Sequence, residues 1–178
     1  NFAGFFIYVL SAPAFIYKHL GLDEHGFAWL FVGGVIGMMC GSWLSGRFAG
    51  RVTPTLTVRY AFVLMFAGAI YNNLYYFGFA PAVPWSVLHQ VVYAVGMSLA
   101  MPSVTLMLLD LFPNNRGMAA SLQAGFQSGI IALVAALAAP VFSVSARMLA
   151  LGGLLFAVAA LMLWLLVLRM PKAEVRDE

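Results

Sequence analysis

The 178-residue chain is 63% hydrophobic and only 8% charged, with a net charge of +3 from nine basic and six acidic residues. A soluble domain of this composition would lack the polar surface needed to cover itself, and the few scattered lysines and arginines form no clustered face for nucleic acid. Cys40 is the single cysteine, which excludes an internal disulfide and any cysteine-based metal cluster; in an apolar helix it reads as a small packing residue.

Six apolar stretches follow one another along the chain, with nearly all charge in the gaps. About 20 mostly apolar residues are needed to cross a hydrocarbon core of roughly 30 Å, so the expectation is a polytopic, all-α membrane protein. The first stretch, Phe2–Tyr17, is short because the chain begins inside it. With neither an initiating methionine nor a basic leader it reads as a helix cut at its beginning rather than a signal peptide, and the chain as a fragment of a longer membrane protein. Phe27–Leu44, Thr57–Phe77, Trp85–Leu109, Met118–Phe142 and Met148–Leu168 complete the set, giving a six-helix domain over residues 1–170 and a short cytoplasmic tail over 171–178.

Alternate connections place Arg47, Arg51, Arg59, Arg116, Arg169, Lys172 and Arg176 on one side and only Lys18 and Arg147 on the other. Basic residues accumulate on the cytoplasmic side of spanning helices, so both ends of the unit are expected in the cytoplasm, and the protein in the cytoplasmic (inner) membrane. Two triplets share an order of features. The first helix of each carries a mid-span proline, Pro13 and Pro102. The second helices carry small residues four apart, Gly33–Gly37–Gly41–Ser45 and Gly117–Ser121–Gly125–Gly129, one smooth face each, suited to close helix approach in lipid. The third helices, aliphatic and aromatic, read as outer, lipid-facing supports. An odd number of helices per repeat inverts the second triplet, the plan of many secondary transporters.

The stretch Gly41-Ser-Trp-Leu-Ser-Gly-Arg47-Phe-Ala-Gly50-Arg51 resembles the loop signature between the second and third helices of a major facilitator superfamily half, with Gly46 at the usual acidic position and altered Gly–Arg spacing. With Phe6–Phe15 and Met101–Gln123 it is most similar to the Bcr/CflA-type drug efflux branch. The resemblance implies the C-terminal six helices of a twelve-helix transporter whose N-terminal half is absent. It also implies a small-molecule substrate, protons as coupling ion and no cofactor. By the same resemblance the first helix of each triplet lines a central cavity, making Tyr8, Ser11, Phe15, Gln90, Tyr93 and Met97 candidates for substrate binding.

Gln123 and Gln127, one turn apart in the fifth helix, should face the interior, because an unpartnered amide in hydrocarbon costs several kcal/mol. They read equally as substrate ligands or as ties between helices. Tyr8, Ser11, Gln90, Met97, Gln123 and Gln127 are expected on one common polar face. Asp110, the lone acid bordering a span, reads as a gate carboxylate for Arg47, Arg51 or Arg116, or else as an ordinary helix-end group. His89, the one histidine within a span, reads as structural, and Asn72 and Asn73 as closing the third helix at the interface among tyrosines. No Asp or Glu lies inside a span, so the acid of a proton antiporter is expected in the absent half. No nucleophile–base pattern, phosphate loop or metal-ligand spacing is present, which argues against an enzyme. A nutrient importer of the same superfamily and a non-transporting six-helix structural subunit are the rival readings.

Overall fold

A computed structural model describes residues 1–169 of the chain; the tail at 171–178, with Lys172 and Arg176, lies outside the described residues. All described regular structure is helical. The first pass is broken. Helix α1 (Phe2–Leu10) ends at Ser11, and after Pro13 the chain resumes as a π-helical segment, Ala14–His19. A proline ring removes a backbone donor and crowds the preceding turn, and the wider winding that follows is closed by the Leu20 amide on the Phe15 carbonyl.

A short 3₁₀ turn (Glu24–Gly26), capped by Asp23, leads into α2 (Phe27–Phe48). Helix α3 (Pro54–Gly78) starts on a proline, whose missing donor costs nothing in a first turn. Helix α4 (Trp85–Leu111) runs unbroken through Pro102. The fifth pass begins as α5 (Arg116–Leu133), widens into a second π-helical segment (Val134–Ala138) and closes with α6 (Ala139–Phe142), which starts beside Pro140. Helix α7 (Ala146–Arg169) is the sixth. Passes two to six are long and apolar enough to cross a membrane; the broken first pass has no uninterrupted helix of that length.

Helix α4 is the axis of the bundle, packed between α2 and α3. On one side the small-residue face of α2 meets it. A methyl group at Gly37 would lie 2.5 Å from the Val91 carbonyl oxygen, and one at Gly41 would collide with the Val95 carbonyl. On the other side Gly96 lets α3 approach, since a methyl there would lie 2.7 Å from the Ala61 carbonyl oxygen. Small residues thus bring two backbones onto α4, the contact that dispersion rewards in lipid.

The triplets cross-pack. Helix α4 of the second packs on α2 and α3 of the first, α1 of the first packs on α7 and the fifth pass of the second, and α3 meets α7. Each contact maps onto another when the triplets are exchanged, as an inverted repeat requires.

Two expectations are corrected. The second stripe has no helix against it: methyl groups at Gly117, Gly125 and Gly129 would meet nothing within 4 Å, and Ala119 is the only buried residue of α5. Helix α3 is not only an outer support, although Tyr60, Val63, Ile70, Leu74 and Phe77 form an exposed apolar flank. It buries nine residues, Thr57 and Asn72 among them, because α4 and α7 cover two of its sides.

Candidate functional site

The polar side chains within the spans fall into two groups. The first is sealed inside the bundle. Tyr8, Ser11, Phe15, Gln90, Tyr93 and Met97 are all buried, Tyr8 and Gln90 at 1% exposure. The Asn72 amide of α3 donates to the Tyr8 hydroxyl, and the His89 ring lies 4.4 Å from the Tyr8 ring, centroid to centroid. Phe15 meets Tyr8 edge-on at 5.4 Å. His89 Nδ1 donates to the Ser86 carbonyl at 2.9 Å. The Gln90 amide donates to the Phe5 carbonyl at 3.3 Å, and the Tyr93 hydroxyl donates to the Asn1 carbonyl at 3.4 Å, over the space left by Gly4. These bonds tie α1 to α3 and α4.

The expected common face is therefore not present. A buried polar group needs a partner, and six of the eight binding candidates sit where neighbouring helices supply one or where packing encloses them. Asn72, read from sequence as an interface residue, belongs to this knot together with Tyr76, each 2% exposed. Asn73 bonds the Ala69 and Ala150 carbonyls at 2.9 and 3.0 Å, pinning α3 to α7. His89, read from sequence as structural, is 3% exposed.

The second group lies in the seam between α4 and α5 and is half-buried. Gln123 Nε2 donates to Thr105 Oγ1 at 3.0 Å, and Gln127 Nε2 reaches Met101 Sδ at 3.8 Å. Gln123 and Gln127 are one turn apart on α5, as Thr105 and Met101 are on α4, so the two pairs form successive rungs flanking Pro102. The chain has changed character here. The first half of α4, Ser86–Ala100, is mostly buried, whereas from Met101 onward none of its residues is.

About 100° around α5 from the glutamines, successive residues being that far apart, lies a wide groove of about 1000 Å³. It is lined by Met118, Leu122, Gly125, Phe126, Gly129 and Leu133, among others. Its walls are almost wholly apolar.

At the end of the bundle where α4 turns into α5, Asp110 pairs with Arg116 at 3.3 Å, both side chains well exposed. Of the three arginines expected opposite Asp110, the structure brings this one to it. Arg47 instead stacks on Trp43, 4.3 Å from the ring centroid, and Arg51 lies in the α2–α3 connection with no carboxylate partner among the described residues.

A family model described as Major Facilitator Superfamily matches residues 1–178. No curated protein and no solved structure matches the chain.

Proposed function

Because the chain belongs to the major facilitator superfamily, a family of membrane transporters, we propose that it exports small amphipathic molecules across the cytoplasmic membrane in exchange for protons. The observation that carries the reading is the α4–α5 seam. Two amides and a hydroxyl sit between two spans, half-buried, beside a methionine and next to a wide apolar groove. Few fixed polar groups in adaptable apolar walls suit amphipathic ligands better than a strongly polar nutrient. Export of drug-like compounds, rather than import, rests on the motif resemblance of Phe6–Phe15, Gly41–Arg51 and Met101–Gln123.

In this reading Gln123, Gln127, Thr105 and Met101 contact substrate. A second six-helix unit, the N-terminal half, seats on the open face of α5, and the two units rock about the site between them. Tyr8, Ser11, Phe15, Gln90, Tyr93 and Met97 hold the inner framework that moves as one body. Asp110 and Arg116 belong to a gate at the end carrying Arg47 and Arg51, which the reading places in the cytoplasm; a weak exposed pair can exchange partners at each cycle. The proton-carrying acid lies outside this unit.

The test is transport by the protein in proteoliposomes loaded with an amphipathic fluorescent dye. An imposed inward proton gradient should drive dye out, and Gln123→Ala should change the rate or the preference among dyes. Dye or sugar uptake down the same gradient would establish an importer. Silence under every gradient, with the protein folded, would leave the structural-subunit reading.

A further inference from the structure

The two basic residues that stand apart from the basic-rich end converge. Lys18 closes the first pass and Arg147 opens α7, 129 positions away, yet both line one cavity of about 500 Å³ with His19, Tyr76 and Ser145. Phe77 and Phe79, both exposed, form its other wall. Among the described residues neither cation pairs with a carboxylate, and Asp23 and Glu24, the acids of this end, are not in the lining.

Arg147 is held in place by its Nε, which donates to the Tyr76 carbonyl at 2.9 Å, and that leaves the fork of two terminal nitrogens to turn elsewhere. His19 donates to the Ser143 carbonyl at 2.8 Å, clamping the end of the first pass to the turn before α7. The first N–H groups of a helix have no acceptor within it and carry the positive end of its dipole. The first two residues of α7, Ala146 and Arg147, sit in this same wall.

Two unpaired cations, one with a planar fork, and a helix start therefore surround one concave space edged by aromatic rings. From this convergence we propose that the cavity is a binding site for a phosphate-type oxyanion. Arg147 supplies the bidentate fork that matches such oxygens and Lys18 the second charge. Phosphate chemistry has two sources at a membrane surface, an anionic phospholipid headgroup and a free phosphate ion. The aromatic wall would lie along the glycerol and upper chain of a lipid and offers nothing to a free ion.

The purified protein in non-ionic detergent, with Lys18→Gln, Arg147→Gln and, as control, Arg59→Gln at the other end, tests the site. Phosphatidylglycerol and phosphatidylcholine binding is followed by native mass spectrometry and inorganic phosphate by calorimetry. Phosphatidylglycerol is expected to be retained over phosphatidylcholine, with Lys18→Gln weakening it by about tenfold, the equivalent of one good charge-assisted contact, and Arg59→Gln leaving it unchanged. Inorganic phosphate binding with the same Lys18 dependence, without lipid preference, assigns the site to a soluble ion. Arg147→Gln also removes the bond to Tyr76 and can cost the fold, so Lys18→Gln, an exposed side chain, decides. If neither oxyanion binds, or if Lys18→Gln binds as tightly as the parent, the site does not exist.

Discussion

Tyr8 and Gln123 are both polar side chains inside apolar spans, and what separates them is where their partners stand. The Tyr8 hydroxyl is sealed in the bundle and accepts from Asn72. Tyr8→Phe strands that amide, whose own carbonyl oxygen already lacks a protein partner. An unsatisfied buried group costs about 1–3 kcal/mol, so the variant should melt measurably lower in detergent and accumulate less. Gln123 is half-buried and bonded to Thr105 at a seam. Gln123→Ala should leave melting nearly unchanged while altering transport rate or substrate preference; the opposite ranking would make Gln123 the structural tie and remove it from the site. Asp110→Asn gives a third contrast. Its exposed pair with Arg116 is worth about 0–1 kcal/mol, so a large change in transport would support the proposed gate, since stability would hardly change. From sequence these residues share one signal, a polar group in an apolar run. Burial of Tyr8 against Asn72, 64 positions away, depends on how α1 and α3 are rotated, which no local pattern records.

The same ambiguity returns in the helices. The stripes Gly33–Gly37–Gly41–Ser45 and Gly117–Ser121–Gly125–Gly129 have one period and one composition, and both read as packing faces. Helix α2 uses its stripe against α4, where a larger side chain at Gly37 meets the Val91 carbonyl, a backbone atom that cannot turn away. Gly37→Leu should therefore fail to fold or express at a small fraction of the parent, since overpacking a close seam costs about 1–3 kcal/mol or more. Helix α5 leaves its stripe open. Gly125→Leu should be accepted by this unit, and by helix propensity a larger residue gains up to about 1 kcal/mol over glycine. If a second six-helix unit seats on that face, the variant folds but does not transport; normal transport with leucine at 125 would mean the groove stays empty. The existence and order of the passes were legible because apolar length is the strongest signal a membrane chain carries. The break in the first pass was flagged by Pro13, and the widened turn of the fifth has its marker in Pro140, whose ring crowds the turn before it.

Across the whole bundle, rigidity is unevenly distributed, and this bears on how such a unit could rock. The half of α4 before Met101 is clamped by α2 and α3 through Gly37, Gly41 and Gly96, and tied to α1 by the bond from Gln90. From Met101 onward the helix carries no buried residue, and α5 reaches it through Gln127 at Met101 and Gln123 at Thr105. The inverted pairing of the triplets was legible from two prolines and two stripes, whereas this difference in clamping was not, because it depends on which seams close. Pro102 lies where the clamped part ends. It lacks the donor that would bond to the preceding turn, and a proline inside a helix costs about 3 kcal/mol relative to alanine. A residue so costly at the boundary of a rigid segment is explained if the free half of α4 must bend during the cycle. Pro102→Ala should then raise the melting temperature, or leave it unchanged, while slowing transport severalfold, with substrate affinity little altered because the rungs at Thr105 and Met101 remain. The measurement is initial transport rate against substrate concentration in proteoliposomes, beside a melting curve of the same preparation. Parent-like rates in a stabilised Pro102→Ala protein would show that α4 moves as a rigid rod and that its bending plays no part in the cycle.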